Sequence, residues 1–396
     1  MLSKAFIPYG AYWSTPFCRW QGSLAEQHSV ELAALVAGDF LAARKLDPRS
    51  FDAVLLGLTV PQRHGFYGAP WLAGMLGAPD ATGATISQAC ATSARVIASA
   101  AAEIELGQHE CVLAVACDRT SNGPHIYYPS GSAPGGRGAS EDWVWDAFSH
   151  DPFARNAMIE TAERVAREGG FTKEQQDEMS LLRYGQYEQA LAGDRAFQRR
   201  YMFPVALRRG KKVVATVDAD EGVHPTTAEG LAKLRPVQEG GSVTFGTQTH
   251  PADGNAGLVV CSAQRAAELS RDRAVRVRLR SYAQARVENG MMPKAVAPAA
   301  RAALARAGIG IRDCRAVKTH NPFAVNDLLF CREMELAAEV LNRYGSPLVY
   351  GHPQGPTGIR LVVELVEELA QAGGGWGLMS GCAAGDTAMA LVVEVG

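Results

Sequence analysis

No apolar run in this chain approaches the ~20 residues that a membrane-spanning helix needs. The opening residues 1–8 lack the long apolar core of a secretory signal, and Val393-Glu-Val-Gly396 is not a peroxisomal address, so neither destination is expected. Charge is nearly balanced, at net −2, which gives no basis for binding nucleic acid. The eight cysteines have no paired spacing, and neither a CxxC nor a His-rich pattern offers ligands, so no metal is expected. Several of these cysteines fall inside apolar stretches. That suits free thiols in a reducing compartment, and a cytoplasmic protein is expected rather than a disulfide-framed secreted one. A chain of 396 residues that is 47% hydrophobic can fill more than one domain core.

Against these absences stands Cys90, in Ser87-Gln-Ala-Cys90-Ala-Thr-Ser-Ala-Arg95. It heads an Ala- and Ser-rich run, 91–106, that reads as a helix closed by Gly107, with residues 110–116 behind it as a buried strand. A thiol at a helix N-terminus feels the positive end of the macrodipole, which favours the thiolate, the nucleophile of covalent acyl transfer. The same residue also reads as a small buried hydrophobe. A second long helix opens at Gly351-His352-Pro353-Gln354-Gly355-Pro356-Thr357-Gly358, with Leu361, Val362, Leu365, Val366 and Leu369 as its apolar stripe. A Gly-rich turn at 373–375 and a short apolar run at 376–379 lead to Ser380-Gly-Cys382-Ala-Ala-Gly385 and a final strand at 388–393. Two cysteines and a histidine thus stand at strand-to-helix junctions or Gly-bounded turns.

Elsewhere residues 30–44 read as an amphipathic helix and 51–58 as a strand, the alternation of a layered α/β domain. From about 119 to 240, Gly, Pro, Ser and charge interrupt, with short helices expected near 155–169 and 173–192. This stretch reads as an insertion covering a site. The sheet pattern resumes near 243, with a strand at 257–261, and a second α/β unit begins near 273. The expected division is 1–118 plus 243–270, then 119–242, then 271–396. The Cys90 helix and the 354–372 helix occupy similar places in the two halves.

Six motifs in this order resemble the thiolase superfamily, the acyl-CoA C-acyltransferases. Ser14-Thr-Pro16 with Trp20-Gln-Gly-Ser-Leu24 is similar to its opening stretch, and Ala89-Cys90-Ala-Thr-Ser93 to its nucleophile motif. Thr161-Ala-Glu-Arg-Val-Ala166 and Ser242-Val-Thr-Phe-Gly246 with Asp253-Gly254 resemble two internal motifs. His320-Asn321-Pro322-Phe323-Ala324 resembles the sterol-carrier-type branch, while Gly351 to Gly358 and Cys382 match the family's GHP motif and terminal cysteine. The resemblance implies an α/β fold, a five-layered α-β-α-β-α duplication with an inserted loop domain. It also implies a homodimer or dimer of dimers, and in that branch a small zinc-ribbon/OB-fold partner subunit. CoA enters as a substrate, with no permanently bound cofactor expected.

The chemistry so implied is cleavage of a 3-oxoacyl-CoA by CoA, or the reverse Claisen condensation. Cys90 would hold the acyl group, His352 would take its proton, and Cys382 would serve as acid and base on the second substrate. His320 and Asn321 would help to stabilise the enolate oxygen, and backbone N–H groups at Cys90 and near Ala384 a second oxyanion. Met158, Thr247, Thr249, His250 and Phe323 would line the substrate or CoA path. Two other readings stay open: a ketoacyl-synthase-like condensing enzyme using His320 and His352, and a non-catalytic thiolase-like subunit. Ala384-Gly385-Asp386 replaces the family's triple glycine, and Thr247-Gln-Thr-His250 replaces its usual CoA-loop sequence. The aromatics Tyr127, Tyr128, Trp143, Trp145, Phe148 and Phe153 read either as a pocket for a bulky or aryl acyl group or as the insertion's own small core. Arg208-Arg-Gly-Lys-Lys212 reads either as a solvated turn or as a contact for CoA phosphates.

Overall fold

The computed structural model describes all 396 residues. One sheet runs through the molecule, in the spatial order Cys314–His320, Gly375–Ala383, Thr387–Val395, Val277–Arg286, Phe6–Ile7, Ala252–Cys261, Cys111–Arg119, Ala53–Gly57, Thr85–Ile86. The short strand Phe6–Ile7 joins two halves: Phe6 pairs antiparallel with Cys261 on one side and with Arg278 on the other. The halves repeat one pattern. Ala53–Gly57 lies parallel to Cys111–Arg119, which lies antiparallel to Ala252–Cys261. Likewise Cys314–His320 lies parallel to Gly375–Ala383, which lies antiparallel to Thr387–Val395. A parallel pair needs a crossover, and helices Thr92–Leu106 and Thr357–Gln371 supply one in each half.

Alternation along the strands sorts the core into three layers. Val112, Ala114 and Ala116 face the two crossover helices, while Cys111, Leu113, Val115 and Cys117 face helix Ser29–Arg44. Met389, Leu391 and Val393 join the same central layer, while Ala388, Ala390 and Val392 face helix Val296–Ala307. Helix, sheet, helix, sheet and helix follow one another, the five-layered order expected. The crossover helices meet where residues are small. A Cβ added at Gly358 would lie 2.9 Å from the Cβ of Ser93, so this crossing needs glycine.

Helix Thr357–Gln371 buries its expected stripe and much of its polar face as well: Arg360, Glu364 and Glu367 are fully buried. Arg360 forks onto Asp220 at 2.7 and 2.8 Å and reaches Glu364 at 3.0 Å. Glu367 accepts from Tyr9, Tyr12, Arg200 and Arg271 at 2.6–2.9 Å. Buried charges survive only when paired in this way, so the helix is clamped by distant parts of the chain.

Between the half-sheets' strands, residues 119–242 form two hairpins and several helices, including Trp143–Ser149, Met158–Gly169 and Lys173–Arg195. The last starts at a capping box, Thr172 with Gln175, and its backbone leaves helical geometry at Ala192–Asp194. The basic stretch 208–212 forms the tip of a hairpin. Arg208 pairs with Asp39 at 2.7 Å, and none of the five residues lines the cavity described below. No helix is long and apolar enough to cross a membrane.

Candidate active site

Cys90 is placed by a strained turn. Ala89 has φ 44, a left-handed conformation unusual for alanine. The Thr92 hydroxyl holds the turn, accepting from the Gln88 N–H at 2.8 Å and donating to the Ala89 carbonyl at 2.7 Å. His352 follows Gly351, whose φ of 91 suits glycine. Its Nδ1 lies 2.6 Å from Thr357 Oγ1, and its Nε2 is buried with no hydrogen bond. His320 ends its strand opposite Gly381, where an added Cβ would come within 2.7 Å of the His320 Cβ. Next along that partner strand is Cys382, fully buried, whose Sγ receives a hydrogen bond from Asn326 Nδ2 at 3.3 Å.

These elements bring together groups distant in sequence. Donor atoms of Cys90, His320 and His352 lie within 4.8 Å of one another, and the two imidazoles are 4.1 Å apart between centroids. A soft cation could be held by such a set, though the same atoms are those acyl transfer requires. The Cys90 thiol donates to Gln354 Oε1 at 3.1 Å. Burial pushes the Cys90 thiol up to about 12, against the pull of the Ala384 N–H and its own N–H. Burial also pushes His320 down to about 3 and His352 well below the usual histidine range, with His320 a further opposing charge. Cys382 is raised well above an ordinary thiol by burial and then by its neighbour Cys90. These shifts all favour neutral groups in the resting site.

A cavity of about 1690 Å³ opens onto Cys90, His352, Gln354 and Ala384. Of the expected substrate path, Met158, Thr249, His250, Phe323 and Ala384 line it. Thr247 does not: its hydroxyl accepts from Thr244 N–H at 2.8 Å within a tight turn. Asn321 does not either. Its amide donates to Asp327 at 2.7 Å and to Ser346 at 3.0 Å, and its oxygen accepts from the Leu348 N–H at 3.2 Å. It fixes the loop below His320; like Asn321, His320 and Cys382 are not among the residues that line the cavity. The turn that replaces triple glycine is held by Asp386 (φ 58), whose carboxylate accepts from the Gly290 and Met291 N–H groups at 2.8 and 3.0 Å.

The aromatic stretch divides. Trp143, Trp145 and Phe148 line the cavity, and Trp143 Nε1 donates to the Thr59 carbonyl at 2.9 Å. Tyr127, Tyr128 and Phe153 are exposed and stand outside it, so the stretch is not a closed core of its own. Sequence reasoning missed Gln354, Asn326 and Thr357, along with Leu231, Leu234 and Phe245, which line the outer cavity. For Gln354 the only signal was its place two residues after His352. It also missed Asp118, buried beside the site. That carboxylate accepts from Thr59 N–H and O–H, Val60 N–H and Gly355 N–H at 2.7–2.8 Å.

Residues 11–264 match the thiolase N-terminal domain, and residues 273–395 match the thiolase C-terminal domain. An acetyl-CoA acetyltransferase of Syntrophomonas wolfei is 30% identical over 393 residues, 96% of each chain. The crystal structure of the Bacillus anthracis acetyl-CoA acetyltransferase superposes with a TM-score of 0.90 at 29% identity, covering 100% of this chain and 99% of that one. Human mitochondrial 3-ketoacyl-CoA thiolase in complex with CoA gives 0.90 at 26% identity, over 99% and 98%.

Proposed function

The chain belongs to the thiolase family, and from that premise we propose that it passes the acyl group of a 3-oxoacyl-CoA to CoA through an acyl-Cys90 intermediate. Its chemistry is thiolase-type acyl transfer on CoA thioesters, making it an acyl-CoA C-acyltransferase. The observation that carries the residue assignment is the convergence of donor atoms of Cys90, His320 and His352, of which Cys90 and His352 line the cavity.

In this reading His352 Nε2, left free by the Thr357 contact, takes the Cys90 proton as the sulfur attacks the 3-oxo carbonyl. The resulting oxyanion is met by the N–H groups of Cys90 and Ala384. The C2–C3 bond then breaks, and its electron pair moves into the departing thioester as an enolate. The free ring nitrogens of His320 and His352 stabilise that oxygen. Cys382 gives its proton to the α-carbon and afterwards takes the proton of the incoming CoA thiol. The CoA sulfur displaces Cys90 from the acyl carbonyl, and the proton on His352 returns to Cys90. Each step reverses, so the same groups support condensation. A decarboxylating synthase has no use for Cys382, and a non-catalytic subunit has none for the convergent set.

We assign a bulky or aryl acyl group to this cavity, supported by its volume and by the wall of Trp143, Phe148, Met158 and Ile159. A reducing, cytoplasmic setting is supported by eight free thiols. A homodimer or dimer of dimers is supported by the large apolar side chains of Phe66, Tyr67 and Leu106, which stand exposed. Intact-mass spectrometry with straight-chain and aryl acyl-CoA and 3-oxoacyl-CoA thioesters tests the assignment. An adduct is expected on the wild type and not on Cys90→Ala, and Cys382→Ser is expected to acylate without turning over. An adduct that persists in Cys90→Ala, or full turnover in Cys382→Ser, rejects it.

A further inference from the structure

Gln354 occupies a place that nothing in the reaction above requires. Its Oε1 is the hydrogen-bond acceptor of the Cys90 thiol, at 3.1 Å. It lines the cavity and is 8% exposed. The same side chain favours the charged form of His352, whose Nε2 is buried without a hydrogen bond. The amide therefore touches the sulfur that loses a proton and lies near the ring that gains it.

The backbone delivers this side chain at a cost. Gln354 has φ 64, in the left-handed region where glycine is at ease and glutamine is not. Both flanks are pinned: the His352 N–H donates to the His250 carbonyl at 3.0 Å, and the Gly355 N–H donates to Asp118 at 2.8 Å. The Ser93 hydroxyl donates to the Gly355 carbonyl. A turn held from both sides in a conformation ill-suited to its residue points to use of the side chain.

We propose that Gln354 is a further catalytic residue, whose amide oxygen accepts the hydrogen of Cys90 before proton transfer and that of His352 after it. The proton passes from Sγ to Nε2, and Oε1 moves its hydrogen bond with it. No bond to Gln354 is made or broken. The acceptor orients the resting thiol toward His352, then stabilises the imidazolium that burial opposes, and so favours the thiolate–imidazolium pair over the neutral one. This rests on the role of Cys90 given above and adds to it a group that sets when the sulfur ionises.

The test is the rate of Cys90 alkylation by iodoacetamide as a function of pH, with the alkylated residue read by mass spectrometry. It is paired with the rate of the first acylation turnover. Gln354→Met keeps length and loses the acceptor; Gln354→Gly also loses it but relieves the left-handed backbone, so it folds even if the first variant does not. Both are expected to slow alkylation and acylation at neutral pH by about tenfold and to move the alkylation profile to higher pH. Rates within twofold of wild type and an unmoved profile in a folded variant overturn the proposal. A wild type whose Cys90 resists iodoacetamide at every pH overturns the acyl-Cys90 reading and this inference together; unmoved variants of a reactive wild type overturn only Gln354.

Discussion

The rings of His320 and His352 lie 4.1 Å apart between centroids, with their planes inclined by 36°. Neither nitrogen of His320 has a hydrogen bond, and His352 uses only Nδ1. Two imidazolium ions at that separation, both buried, would repel strongly in a medium that screens little. The pair is neutral at rest and can take one proton at a time, which suits a site that receives a single proton from a thiol.

Acid should therefore loosen the fold through this pair. Burial holds His320 down to about 3 and His352 well below its usual range, whereas in the unfolded chain both titrate near ~6.5. Between about pH 6.5 and 3 the unfolded chain binds more protons, so stability is complete above that window and falls as pH drops through it. Thermal unfolding between pH 7 and 5 should show a declining Tm, and His320→Asn should flatten the decline. An equal slope in both proteins would assign the acid lability elsewhere.

Asp118 should matter more than its distance from the chemistry suggests. Burial pushes its carboxyl up to about 7, while its four N–H and O–H partners pull it down. Asp118→Asn turns an NH₂ toward a donor of Thr59 or Gly355. A loss of about 2–4 kcal/mol in urea unfolding is expected. A change under about 0.5 kcal/mol would mean that the amide rotates or the loops relax at no cost.

Asn326 separates the two half-reactions. It donates to Cys382 and makes no hydrogen bond to Cys90. In Asn326→Leu the acyl-enzyme should form at the wild-type rate, while turnover with CoA falls by about tenfold. Stopped-flow acylation beside steady-state turnover reads the two separately; equal loss in both would assign Asn326 to general packing.

Arg360 should be indispensable to folding. Arg360→Leu leaves Asp220 and Glu364 as buried carboxylates without their cation. A loss of about 3–5 kcal/mol is expected in chemical denaturation. A variant as stable as wild type would show that these carboxyls accept protons freely.

Much of this was legible in sequence, and what was not has physical causes. Cys90 and His352 stand at turns just before long helices, a local signal; Cys382 lies near the end of strand Gly375–Ala383, and its choice rested on the family's terminal motif. The layered α/β order followed from the strand and helix periods. The polar face of Thr357–Gln371 was another matter. Arg360, Glu364 and Glu367 have the period of a solvated face, and only Tyr9, Tyr12, Arg200, Asp220 and Arg271, far off in sequence, make it an interior one. Asn321 and Thr247 lie outside the cavity for the converse reason. Each sits in a suggestive motif, but a side chain's direction is decided by partners such as Asp327, Ser346 and Thr244 that no local pattern names.

The two-residue strand Phe6–Ile7 makes one sheet of two, and the crossover helices make one floor from both halves. Cys90 belongs to the first half; His320, His352 and Cys382 belong to the second. Neither half holds the whole set, so a chain cut between them is expected to yield two inactive pieces. In the proposed mechanism the repeated pattern becomes a division of labour: one half would carry the cargo, the other the protons.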